Sequence, residues 1–124
     1  MNKILLQLLI SVVALVSAPV HAHGDGKPEY GGIMQMVDDL SFELVVKGNV
    51  ADLYLGDHGE KVPSAGKTGK LTILSGGTKT EARLEPAGGH KLQAKDVKIV
   101  KGDKVIALVT SADNKTTSIR FVIK

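Results

Sequence analysis

The sequence predicts an all-β antiparallel sandwich of about seven to eight short strands, and three observations carry that expectation. Residues 40–47 alternate, with Leu40, Phe42, Leu44 and Val46 on one face. Turn signals built from Gly, Asn, Asp and Pro return every ~8–12 residues. Past residue 22, no stretch shows apolar residues at helical spacing.

The chain opens on what reads as an export signal. Asn2-Lys3 gives a short positive start, and residues 4–16 form an apolar core interrupted only by Gln7 and Ser11. Ser17-Ala18-Pro19-Val20-His21-Ala22 follows. A signal peptidase grips an extended chain at positions −3 and −1, where Val20 and Ala22 fit, so the expected cut falls after Ala22. A cut after Ala18 would leave Pro19 just past the scissile bond, where it is poorly tolerated. The apolar core falls short of the ~20 residues of a membrane-spanning helix, so residues 1–22 are expected to be a cleaved signal peptide. Residues 23–31, rich in Gly and charge with one Pro, read as a flexible tail. Residues 32–124 then form one β domain.

Within that domain, residues 32–37 give a first strand and residues 40–47 a second. Gly48-Asn49 turns the chain into 50–55, which ends at Gly56-Asp57-His58-Gly59. Residues 71–74, Ser75-Gly76-Gly77 and 78–84 read as strand, tight turn, strand. Pro86-Ala87-Gly88-Gly89 breaks the chain, and 91–100 holds one or two shorter strands. Residues 105–110 and 118–123 close the domain across Ala112-Asp113-Asn114-Lys115. The size suits an immunoglobulin-like sandwich, and the lack of Cys and Trp makes that likeness architectural only. The expected core is Phe42, Leu44, Leu71, Ile73, Leu84, Leu108, Ile119, Phe121 and Ile123.

Composition excludes several functions. A chain of 124 residues with no Cys has no disulfide, zinc ribbon, haem-attachment motif or catalytic thiol. Its aromatic residues are Tyr30, Phe42, Tyr54 and Phe121, too few for a base-stacking platform or a sugar-binding strip. A formal charge of +3 does not mark a nucleic-acid binder. Gly66-Lys67-Thr68 ends like a phosphate-binding loop, but Lys61 stands where that loop needs its first glycine. Asn114-Lys115-Thr116 is a glycosylation sequon that matters only in a eukaryotic secretory pathway. No nucleophile elbow or spaced Ser/His/Asp set stands out, and the one close carboxylate pair, Asp38-Asp39, lies in a turn. A non-enzymatic protein is expected.

Charge is split along the chain. Residues 23–60 carry two Lys and eight acids, net −6, whereas residues 61–124 carry thirteen Lys or Arg and five acids, net +8. The acidic part also holds His23, His58, Met34 and Met36, a composition that concentrates cations; the basic part suits an anionic surface or partner.

Cleavage after Ala22 would expose His23 as the amino terminus. Its α-amine, with a pKa of ~7.7–8.0, and its ring Nδ1 can then chelate one metal ion. Cu(II) favours such nitrogen ligands most among first-row divalent metals. Further ligands would come from His58, His90, Asp25 or Asp57. Met34-Gln35-Met36 places two thioethers on one strand face, and thioethers select Cu(I) or Ag(I); core packing is the competing role for both. Asp57-His58-Gly59 is a hairpin loop and His90 follows Gly88-Gly89, so both histidines occupy loop positions, where sites are commonly carried.

Several runs also resemble a known group: Gly31-Gly32-Ile33, residues 39–47, Leu53-Tyr54-Leu55-Gly56-Asp57-His58-Gly59, residues 69–77, Leu84-Glu85-Pro86-Ala87-Gly88-Gly89-His90 and the closing 118–124. Together they resemble small periplasmic proteins of Gram-negative bacteria related to the extra amino-terminal β domain of heavy-metal efflux adaptor subunits. The resemblance implies a periplasmic, immunoglobulin-like domain linked to metal handling or efflux, with the usual His-rich leader reduced to His23. A fainter likeness, through His23 alone, is to the copper-resistance protein C family. The expected function is a periplasmic, non-enzymatic metal-handling module, binding copper or another heavy metal through His23, Met34, Met36, Asp57 and His58, with an efflux adaptor as partner. The alternative is a metal-free interaction module that docks through its basic half or its sheet edges.

Overall fold

The computed structural model describes residues 27–124; the expected signal peptide and His23 lie outside the described residues. Among the described residues nine strands form: β1 (Ile33–Val37), β2 (Leu40–Lys47), β3 (Val50–Asp57), β4 (Glu60–Lys61), β5 (Thr68–Ser75), β6 (Thr78–Pro86), β7 (Lys91–Lys95), β8 (Lys104–Thr110) and β9 (Thr116–Val122). All pairings are antiparallel, and the described residues contain no helix, hence none able to cross a membrane.

The hairpins follow from turn chemistry. Gly48, at φ 57°, takes the first position of the two-residue loop that pairs Lys47 with Val50. Gly76 and Gly77, at φ 52° and 89°, supply both positive angles between Ser75 and Thr78. His58 and Gly59 do the same at φ 50° and 80° between Asp57 and Glu60. The expected loop at 56–59 is therefore shorter: Gly56 and Asp57 belong to β3, and the chain returns at once as β4. That strand was not anticipated, because Glu60-Lys61 has no alternation to announce it.

The strand order is β1-β2-β3-β7-β6-β5-β8-β9, with β4 on β3 alone. The all-β antiparallel class is as expected, while the nine strands make a barrel-like sheet and not clearly a sandwich of seven to eight. The two groups of strands are joined at β7, which pairs with β3 along five residues and with β6 at Glu85–Gln93 and Pro86–Leu92. One sheet results, and its ends β1 and β9 pack against each other, so it curls into a nearly closed barrel. Alternating burial suits either architecture, which is why the period alone could not separate them.

The core lies inside this curl. Phe42, Leu44, Leu71, Ile73, Leu84, Ile119 and Phe121 are buried as expected, joined by Leu53, Leu92, Val105 and Ala107. Leu108 and Ile123 are only partly buried. Leu108 stands one residue out of phase with Val105, Ala107 and Val109, so it faces outward. Residues 91–100 hold one strand; Asp96, at φ 57°, ends β7, and Val97 and Ile99 enter the core from an irregular segment.

Candidate functional site

The outer face of β1, β2 and β3 carries the most concentrated chemistry. In β1, Met34 lies opposite Glu43 and Met36 opposite Ser41; in the β2–β3 pair, Glu43 lies opposite Tyr54. Cross-strand partners share a face, so the two thioethers, the carboxylate and the phenol project together, away from the core.

Segment 27–32 crosses over this face as a strap, and Glu43 holds it. The Glu43 side chain is 1% exposed, and its carboxylate accepts backbone N–H groups from Glu29 at 2.7 Å, Tyr30 at 2.8 Å and Gly32 at 2.9 Å. Three donors on one buried carboxylate compensate its desolvation. The end of the expected flexible tail is thus tied down. At Gly32 the strap lies so close to β2 that a Cβ would sit 2.2 Å from the Leu44 carbonyl oxygen.

Over the strap's inner side, the Tyr30 ring stacks on Tyr54 with centroids 3.9 Å apart and planes at 14°. The Tyr30 hydroxyl shares a 2.9 Å hydrogen bond with His90 Nε2, and the imidazole tilts against both phenols. Partial burial, then the Glu29 carboxylate, pushes the Tyr30 pKa up, so the phenol stays protonated. His90 arrives from the β6–β7 loop, where its carbonyl accepts the Leu55 N–H at 2.9 Å.

Between strap, sheet and loops lies a cleft of about 380 Å³, lined by Met34, Met36, His58, His90, Tyr30 and Tyr54 among others. Met34 and Met36 are half-buried at its wall, which places both thioethers in a pocket rather than in the core. His58 reaches the cleft from its turn. Its Nδ1 meets the Asp57 carboxylate and its Nε2 lies 3.1 Å from Asp39 Oδ2. The hydrogen bond to Asp57, then the charge of Asp39, raises the His58 pKa above 6.5 against an opposing desolvation. Asp57 therefore serves as a partner of His58 and does not line the cleft.

Of the expected site residues, the structure brings Met34, Met36 and His58 to one cleft, holds Asp57 behind His58, and leaves His23 outside the described residues. His90 and the tyrosines join the cleft although no linear spacing links them: they meet because β7 pairs β3, setting Lys91 opposite Tyr54. Among the described residues no three His, Asp or Glu side chains converge in a way that could hold a metal ion; the cleft gathers the thioethers of Met34 and Met36 with the imidazoles of His58 and His90. No family model, curated protein or solved structure matches this chain.

Proposed function

We propose that the chain is an exported, periplasmic, non-enzymatic module that carries copper as Cu(I) in the cleft beneath the strap, in the company of a heavy-metal efflux adaptor. The observation that supports this reading most is the shared cleft of Met34, Met36 and His90, with His58 at its rim. Thioethers are soft donors suited to Cu(I), and neutral imidazole accepts the same ion. Copper here is cargo: Met34 and Met36 offer sulfur, and His90 offers Nε2 once the Tyr30 hydroxyl gives way. His58 contributes a ligand only after it releases a carboxylate and its proton. Export rests on the character of residues 1–22, and the efflux link on the resemblance described above.

The test is a competition titration of residues 23–124 with Cu(I) and with Cu(II) against a coloured chelator. Replacing Met34 and Met36 together by Leu should lower Cu(I) affinity by at least about tenfold, or ~1.4 kcal/mol. Any Cu(II) binding that depends on His23 should be spared. Unchanged Cu(I) affinity in the double variant, with the fold intact by circular dichroism, would sink the proposal.

A further inference from the structure

The outer face of β5, β6, β8 and β9 lies on the basic half of the sheet, and its registers place side chains in three cross-strand rows. The first row reads Lys79, Leu74, Lys104, Val122. In the second, Ile106 stands between Thr72 and Arg120, with Glu81 at the far side. The third places Leu108 beside Lys70, with Arg83 beyond it. These positions alternate with Leu71, Ile73, Val105, Ala107, Ile119 and Phe121, which point into the core, so the rows point outward.

Strands ~4.8 Å apart and same-face residues ~6.7 Å apart make this a patch about 14 Å on a side. It holds five cations and Glu81, with a second acid, Glu85, at its margin beside Arg83, and aliphatic side chains stand between them. Leu74 is 37% and Val122 54% exposed, two of the four large apolar residues that the described surface leaves open. Glu81 lies 3.5 Å from Lys70 and 3.7 Å from Lys79, and Arg83 lies 3.8 Å from Glu85. Exposed pairs of this kind are weak and exchange readily for a stronger anion. Neighbouring cations such as Lys70 and Arg83, or Lys104 and Arg120, lie about one Debye length or less apart at physiological salt, so each still feels the next.

We propose that this face docks on an anionic lipid surface, its cations on headgroup phosphates and its aliphatic side chains at the acyl boundary. Charge complementarity points to an anionic occupant, and the kind of side chain points to lipid. A protein interface is usually anchored by aromatic residues seated in pockets, whereas here Tyr54 lies on the opposite half of the sheet with Tyr30 of the strap stacked on it, and both phenylalanines are in the core. What this face offers is aliphatic side chains ringed by Lys and Arg, the combination that binds interfacially. The inference shares no residue with the copper cleft and stands or falls apart from it.

Co-sedimentation of residues 23–124, which contain all nine strands of the described residues and exclude the apolar stretch 4–16, tests it. The probe is vesicles of phosphatidylcholine with about one third phosphatidylglycerol, against vesicles of phosphatidylcholine alone. Binding should require the anionic lipid and weaken as salt rises. Lys104→Glu with Arg120→Glu should lower partitioning by about tenfold or more, and Leu74→Ser with Val122→Ser should weaken it at unchanged salt dependence. Both pairs point to solvent, so an unchanged thermal midpoint shows that the fold survives. Equal binding to the two vesicle types, or full binding by the charge-reversed variant, overturns the proposal. So does retention of the protein by poly-glutamate under conditions where the vesicles leave it in solution, which would assign the face to an acidic protein.

Discussion

Glu43 is a buried carboxylate whose three partners are all backbone amides of the strap. Removing it leaves those donors without their acceptor, and bonds to a charged group are worth ~1.5–3 kcal/mol each. Glu43→Ala should therefore cost about 2–4 kcal/mol in urea unfolding, since water will recover part of the loss. In the same variant, hydrogen exchange at Glu29, Tyr30 and Gly32 should lose its protection; retained protection would show that the strap is held by something else. Tyr30→Phe keeps the stack on Tyr54 and deletes the hydrogen bond to His90. A neutral hydrogen bond of ~1 kcal/mol then no longer competes for Nε2, so Cu(I) affinity should rise about fivefold. His58 gives a pH signature. Its pKa is raised above 6.5 by Asp57 and Asp39, so the folded state binds its proton more tightly than the unfolded chain does. The ion pair's contribution to stability is fully present below pH 6.5 and is lost as pH rises through the raised value. NMR titration of the ring should show the raised midpoint, and Asp57→Asn should bring it down.

At the scale of the strand, legibility followed alternation. β2 showed its period openly and its bounds, Leu40–Lys47, match the expected range. β5 begins at Thr68, three residues before the expected start, because Gly69 and Lys70 carry no apolar signal. Gly69 is there for space: a Cβ would sit 2.4 Å from the Leu108 carbonyl oxygen on β8. Gly69→Ala should push β5 from β8 and cost about 1–3 kcal/mol, by analogy with overpacked cores; thermal unfolding within error of the parent protein would refute the close approach. β4 escaped notice for a related reason. Two charged residues make a strand only because His58-Gly59 turns tightly enough to lay them against Gly56 and Asp57.

For the molecule as a whole, Phe121 sits 1% exposed on β9, opposite Val105, inside the curl. Phe121→Ala should cost ~3–5 kcal/mol, a large part of the ~5–15 kcal/mol that holds a domain together, and chemical denaturation will measure it. Intact-mass measurement on periplasmic material should find a chain beginning at His23, and full-length protein in the membrane fraction would refute export. The strand order also settles where the charges go. β1 to β4 stay contiguous, carrying two Lys against six acids over residues 33–61. β6, β5, β8 and β9 are contiguous too, with five cations against two acids. The linear split therefore persists as two halves of one sheet, with β7 between them. By itself, the sequence determined the β class, most of the strands, many of the inward residues and the i, i+2 placement of Met34 and Met36, because backbone period and turn chemistry are local. The closure of the sheet, the strap on Glu43 and the meeting of His90 with Tyr30 and Tyr54 were decided only by tertiary structure. Each depends on contacts between residues far apart in the chain, and no local pattern encodes which strand pairs with which.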